Sequence, residues 1–391
     1  MSPELLPFSR HEYDARVAST RRRMEAEGLD ALVLSGPENI YYLTGLDHQG
    51  YFALTLLVLP LDGRPMIVAR AMEATTLSAQ VPECDHIRFA DDEDPALVAA
   101  RAVRSAVTRG SRVGVERSSM FFPLSVWEPL RLELAELQLV DGTGLVEAVR
   151  QVKSPAEIAR MRAAARVSSR AVEVGAAAVR AGASQRDVAA AVYPELVLGG
   201  TEVPGFAPLI RSRDDLFQEH VTWADREITP GDAILLELSA SVGRYHAPLT
   251  RMVYVDEPPA GTDKAGEIAL AGLEVVCQAL RPGTLSTEVY AAWQQVVDEG
   301  LGHRSYRRHH CGYQVGIGFP PSWIGGAAVV GLRDGSNLRI EEGMTFHVLS
   351  WLLGQEPADY VVSDTVLVTA SGGELLTSTR RTPLVVGALE G

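Results

Sequence analysis

An α/β chain in two domains is what the sequence predicts, and three observations predict it. At 391 residues there is room for two hydrophobic cores. The first part alternates short apolar runs with charged segments of helical period, the pattern of strands covered by helices. A well-marked helix start at Lys153-Ser-Pro-Ala-Glu-Ile158 then separates it from a second part in which apolar strands return.

The elements follow in order. Residues 11–27 carry charge at helical spacing and stop at Gly28. Residues 31–35 read as a short buried strand closed by Gly36-Pro37. Residues 52–59 and 65–69 read as strands around the turn Leu61-Asp-Gly-Arg64, followed by an Ala/Val-rich helix over 94–108 and a strand over 112–116. The boundary near residues 141–155 gives domains 1–150 and 151–391. Ser154 suits the N-cap of the next helix, Pro155 its first turn, and Glu157 lies three residues past the cap. That helix is expected to reach residue 180, and another to start near Ser184. Strands are expected over 233–239, 250–255, 343–353 and 360–369, with helices over 264–280 and 286–300. Neither a solenoid period nor a low-complexity tract is evident.

Composition excludes several function classes. A net charge of −14 argues against a nucleic-acid partner, which requires a basic face. No apolar run reaches the roughly 18–20 residues that span a bilayer. The N-terminus has no basic start followed by an apolar core, so no signal peptide is expected. Cys84, Cys277 and Cys311 are odd in number and far apart, giving neither a CxxC metal pattern nor a disulfide framework. A reducing cytoplasm is the expected compartment.

The segment Glu237-Leu-Ser-Ala-Ser-Val-Gly-Arg-Tyr-His-Ala-Pro-Leu-Thr-Arg251 carries most of the functional signal. Together with Lys153–Ile158, Thr229-Pro-Gly-Asp232, Cys311-Gly-Tyr-Gln-Val-Gly316, Glu342-Gly-Met-Thr-Phe346 and Ser363-Asp-Thr-Val-Leu-Val-Thr369, in that order along the chain, it resembles the pita-bread aminopeptidase P, prolidase and creatinase family. The resemblance implies a creatinase-like N-terminal domain with a mixed sheet, a C-terminal pita-bread domain and a homodimer. In the metal-dependent members five side chains hold two metal ions. The matching places here are Glu237, Pro248, Tyr313, Leu349 and Ser363. Only the first is a carboxylate, so neither a metal nor another cofactor is expected.

Finer details are similar to the metal-free ectoine hydrolase branch: Arg244-Tyr-His-Ala-Pro-Leu-Thr-Arg251, Gly312-Tyr-Gln-Val-Gly316 with Pro320-Pro-Ser-Trp323, Gly343-Met-Thr-Phe-His347, and Glu219-His-Val-Thr-Trp223. Glu219 stands where that branch has proline. The likeness implies hydrolysis of a non-peptide C–N bond in a small molecule, with no nucleic-acid or membrane partner. Glu237, set in an apolar strand, is then the expected nucleophile or general base, because burial raises a carboxyl pKa. It could instead be a structural carboxylate bonded to Arg251. His220 is the expected acid for the leaving nitrogen. Tyr313, His246 and His347 are further catalytic candidates, each with a packing role as the alternative. Trp223 and Trp323 are expected to wall the pocket, while Arg251 and Arg70 are expected to bind substrate, Arg70 through a carboxylate across the dimer interface. The pair His309-His310 follows Arg307-Arg308 and reads as a solvated basic loop. A creatinase-like amidinohydrolase, an Xaa-Pro metallopeptidase and a non-catalytic binding protein are the rival readings.

Overall fold

Capping side chains set the main helix starts. In the computed structural model, which describes residues 7–212, 215–326 and 329–387, Ser154 Oγ accepts the Glu157 amide at 3.2 Å and the Glu157 carboxylate accepts the Ser154 amide at 2.9 Å. This reciprocal pair ties down two of the amides that a helix N-terminus leaves open. The chain divides into two compact units, Met1–Gln151 with Gly326–Ala328, and Val152–Gly325 with Val329–Gly391.

The first unit contains α1 (Arg10–Ala26), β1 (Ala31–Leu34), α2 (Pro37–Thr44), β2 (Leu56–Pro60), β3 (Met66–Arg70), α3 (Ala74–Gln80), β4 (Asp85–Phe89), α4 (Pro95–Ala106), β5 (Arg112–Val115), α5 (Leu124–Glu133), β6 (Gln138–Asp141) and α6 (Leu145–Arg150). Its six-stranded sheet runs β4-β3-β2-β1-β5-β6. The β1–β2 and β2–β3 pairs are antiparallel and the other three parallel, so the sheet is mixed. The strand expected from residue 52 begins only at Leu56. Gly50–Phe52 is a short 3-10 turn that leaves the Phe52 ring 79% exposed, and the continuous buried run starts beyond it.

The second unit contains α7 (Pro155–Ala178), α8 (Gln185–Leu198), β7 (Leu209–Ser212), β8 (Ala233–Leu238), β9 (Ser241–Val242), β10 (Tyr245–His246), β11 (Leu249–Val255), α9 (Thr262–Ala279), α10 (Ser286–Leu301), β12 (Gly312–Gln314), β13 (Thr345–Leu352), β14 (Tyr360–Thr369), β15 (Gly372–Leu375) and β16 (Leu384–Val386). Its main sheet runs β12-β13-β14-β11-β8-β7, with β15 added to β14 and β16 to β11.

Helices cover one face of that sheet. Gly175 of α7 lies so close to Leu236 of β8 that a Cβ would stand 2.6 Å from the leucine, and Gly272 of α9 approaches Ser350 of β13 equally closely. Successive side chains on a strand point to opposite faces. Glu237, next to Leu236, and His347, Leu349 and Trp351, flanking Ser350, therefore face away from the helices. The register carries this assignment across the sheet: Leu209 pairs with Glu237, Glu237 with Thr250, Thr250 with Ser363, Ser363 with Leu349, and Tyr313 with His347. One helix-free face thus collects the polar side chains.

Arg251 lies on the other face, opposite Leu236. Its Nη2 donates to Asp364 Oδ1 at 2.8 Å, its Nη1 to the Thr250 and Ser363 carbonyls at 2.7 Å, and its Nε to the Arg380 carbonyl at 2.8 Å. Arg381 holds the second Asp364 oxygen at 2.7 Å. The expected contact between Arg251 and either Glu237 or substrate is corrected accordingly: strand alternation turns this guanidinium toward a buried internal ion pair.

Candidate active site

A continuous hydrogen-bonded row crosses the helix-free face. Trp323 Nε1 donates to Tyr313 Oη at 2.9 Å, and Tyr313 Oη lies 2.8 Å from His347 Nδ1. His347 Nε2 lies 2.6 Å from Ser363 Oγ, which donates to Thr250 Oγ1 at 2.7 Å. Thr250 faces Glu237 across the β8–β11 pair, and hydrogen bonding from its hydroxyl lowers the carboxyl pKa.

The donor inventory fixes the direction of every bond when Glu237 is ionised. Thr250 donates to the carboxylate and accepts from Ser363. With its proton so used, Ser363 accepts from His347 Nε2–H. Nδ1 is then an acceptor and takes the Tyr313 proton, while Tyr313 accepts from the indole. Burial pushes the His347 pKa down to about 3, with His310 and Arg251 adding to the shift, so the ring is neutral at pH 7. Burial also raises the Tyr313 phenol.

Glu237 is 5% exposed and its pKa is raised to about 7. Desolvation is the main cause. Arg211 opposes it, the nearby Glu219 adds to it, and the Thr250 bond and Arg308 bring it partway back. A carboxyl poised near neutrality exchanges a proton readily at physiological pH.

An aromatic group borders the row. Phe206 meets Trp323 edge-on with ring centres 4.6 Å apart, and His220 stacks on Phe206 at 5.6 Å. His220 has φ of 56°, a left-handed conformation uncommon outside glycine and found at functional sites. Glu219 in the same turn acts on both Glu237 and Tyr313.

His246 supports this border rather than facing it. Its Nε2 accepts the Gly205 amide at 2.9 Å, so Nδ1 carries the proton and donates to the Arg244 carbonyl at 3.0 Å. Burial lowers its pKa to about 4, keeping it neutral. Gly205, so held, lies against the Ser322–Trp323 backbone, where a Cβ would stand 2.3 Å from the Ser322 carbonyl carbon. Gly205→Ala is expected to lower stability by about 1–3 kcal/mol through overpacking. An unchanged thermal unfolding midpoint would show that the approach is not tight.

Trp223 and Arg70 have other partners within their own units. Trp223 packs edge-on to Tyr193 of α8 at 5.6 Å, against the helix-side core, apart from the Trp323 group. Arg70, in the first unit, makes a two-pronged bond to Asp91 at 2.9–3.0 Å. His310 was expected in solvent. It is buried instead, 5.5 Å from the Tyr313 ring, because the Cys311 amide bonds the Leu332 carbonyl and draws the chain into β12; His309 stays exposed. Thr250, Arg211, Arg308 and Phe206 were not singled out from sequence. A charge inside the apolar stretch Leu209-Ile-Arg-Ser212 was the one local signal available for Arg211.

Residues 159–370 match the model of metallopeptidase family M24, and residues 16–152 that of the creatinase/prolidase N-terminal domain. The chain belongs to metallopeptidase family M24. Ectoine hydrolase of Halomonas elongata is 30% identical over 393 residues, covering 95% of this chain and 96% of that protein. An uncharacterised hydrolase/peptidase of Sinorhizobium fredii is 30% identical over 397 residues, covering 96% and 98%. A solved prolidase of Thermococcus sibiricus superposes with a TM-score of 0.85 at 20% identity, covering 96% of this chain and 99% of its own, a likeness of fold. The creatinase-like N-terminal domain and C-terminal pita-bread domain of the M24 family are therefore present.

The metal that the M24 family name implies does not fit the residues in place. Ser363 Oγ lies between His347 and Thr250, and both nitrogens of His347 are engaged. Tyr313 Oη is shared by Trp323 and His347. Pro248 and Leu349 have no side-chain donor, and the Pro248 carbonyl accepts from Thr365 at 2.9 Å. Among the described residues no group of three or more His, Cys, Asp or Glu is placed to hold an ion. Glu237 remains as the single carboxylate among hydroxyls, whereas a divalent ion asks for several oxygen or nitrogen ligands. Among the described residues no helix is long and apolar enough to cross a membrane.

Proposed function

We propose that this M24 protein hydrolyses a non-peptide C–N bond in a small metabolite without a divalent metal, with ring opening of ectoine or a related cyclic amidine as its reaction. The observation that carries this reading is the lone buried Glu237, with a pKa of about 7 and joined to Tyr313 by a row of neutral hydrogen-bonding groups. The name of the Halomonas elongata relative supports the choice of substrate.

The amidine carbon, bonded to two nitrogens, is the electrophile. Ionised Glu237 takes a proton from a water molecule as its oxygen bonds that carbon. The tetrahedral adduct then collapses. The adduct's hydroxyl gives its proton to solvent as the C=O bond forms, one C–N bond breaks, its electron pair goes to the leaving nitrogen, and that nitrogen takes up a proton. His347 and His246 are held neutral by burial and have no proton to give at pH 7. His220, exposed and stacked beside Phe206, is the proton donor in this reading. Tyr313 and Trp323 orient the ring. In this reading the protein acts as a cytoplasmic homodimer.

The test is chelator-treated protein incubated with ectoine and followed by proton NMR. Ring opening at an undiminished rate is expected. Turnover that appears only with added manganese or cobalt, or cleavage of Xaa-Pro dipeptides in place of ectoine, would sink the reading.

A further inference from the structure

Arg211 stands in β7 with its side chain fully buried. Its register partner is Leu235, two residues before Glu237, whose own partner is Leu209. Arg211 therefore projects from the same helix-free face as Glu237. Two residues along one strand and one strand spacing across separate their Cα atoms by roughly 8 Å.

The guanidinium is only partly engaged. Nη1 donates to the Gln218 carbonyl and lies 3.6 Å from a Glu219 oxygen. Nε and Nη2 are both buried and have no hydrogen-bond partner among the described residues. Those two N–H groups share one edge of the planar group, the edge that meets both oxygens of a carboxylate in parallel. Buried donors are nearly always satisfied, and a charged pair left open calls for an explanation. A second cation reinforces the first. The Arg308 guanidinium lies 4.7 Å over the Trp351 ring, and that of Arg211 lies 5.9 Å from the same ring centre. Arg308 Nε is likewise buried, with no hydrogen-bond partner among the described residues.

We propose that the open edge of Arg211, with Arg308 beside it, binds a carboxylate group of the substrate. The enzyme then takes small molecules that carry a carboxylate close to the C–N bond to be cut. This assignment rests on the hydrolase reading for the position of the reacting carbon at Glu237. Glu219 lies on the Nη1 side, so the incoming carboxylate takes the adjoining edge. Solvent does not reach Nε or Nη2, so entry of the ligand requires the turn that carries Gln218, Glu219 and His220 to give way.

The test compares ectoine with 2-methyl-1,4,5,6-tetrahydropyrimidine, the same ring without its carboxylate, by calorimetry on the Glu237→Gln protein. Ectoine is expected to bind about tenfold tighter or more, the worth of one charge-assisted hydrogen bond. Arg211→Met and Arg308→Gln are expected to reduce ectoine affinity toward that of the bare ring and to leave the bare ring unchanged. Arg308 is half-exposed, so its variant keeps the test sound if Arg211→Met does not fold. Equal weakening of both ligands, or of neither, overturns the assignment while leaving the ectoine reading intact. If neither ring binds, the ectoine reading has failed, and the carboxylate site is judged with sodium acetate against acetamide at matched ionic strength. Thermal stabilisation by acetate alone, lost in Arg308→Gln, supports the site; no difference between the two probes overturns it.

Discussion

Glu237→Gln is expected to abolish turnover and yet to give a protein that withstands more heat above pH 7. The two outcomes share one cause. The folded state raises this carboxyl from 4.5 to about 7, chiefly by desolvation. Between those values the folded protein binds more protons at this site than the unfolded chain, so stability falls as pH rises through the window. At about 1.4 kcal/mol per unit the full effect is roughly 3 kcal/mol once pH exceeds 7. Glutamine keeps the shape and can still accept from Thr250, but it carries no charge to desolvate. Its stability advantage should be present at pH 8 and shrink toward pH 5. Equal unfolding midpoints for wild type and variant at both values would remove desolvation from the account. Since the ionised form is the working one, wild-type kcat/KM should fall on the acid side with a midpoint near 7. A fully active Glu237→Gln would remove this residue from the chemistry.

Arg251→Ala has the largest expected effect on folding. The arginine is 1% exposed and Asp364 is fully buried beneath it. Removing one partner of a buried pair leaves the other charge undercompensated, which costs about 3–5 kcal/mol. Four carbonyl acceptors held by the same guanidinium are released as well. Loss is therefore expected in chemical denaturation, while KM of the remaining folded protein stays near wild type because Arg251 faces away from Glu237. A variant that folds normally but shows a steeply raised KM would restore the substrate-binding role expected from sequence.

The contrast between Arg251 and Arg211 explains what was legible in the sequence. Helix starts were readable because a capping box is local: Ser154 and Glu157 lie three residues apart. Strand positions were readable from apolar runs such as Leu56–Pro60, and Ala233–Leu238 with Glu237 as its one polar residue. The family motifs identified Glu237, Tyr313, His347 and Trp323, and the fold brings the last three into one bonded group next to Glu237. Which face a residue occupies depends on register between distant strands. The turn at Gly243 breaks the two-residue period between Glu237 and His246, so parity could not place the histidine. Thr250 and Ser363 are ordinary strand residues until the pairing of β8, β11 and β14 sets them in line. The packing of Trp223 on Tyr193 was hidden for the same reason, since nothing nearby in the chain says that the two meet.

The row from Trp323 to Glu237 has a further consequence, which lies in its imidazole. A hydroxyl reverses its bond by rotating, but His347 reverses only when its proton leaves one nitrogen and appears on the other. The row therefore has two proton arrangements, and a charged Glu237 admits only the one in which Thr250 donates to it. An ionised Glu237 fixes which way the Tyr313 phenol offers its hydrogen, whereas a neutral carboxyl, able to donate or to accept, removes that constraint. A strip of side chains lying across five neighbouring β-strands thus behaves as a latch, which the charge on Glu237 closes and a single proton there releases.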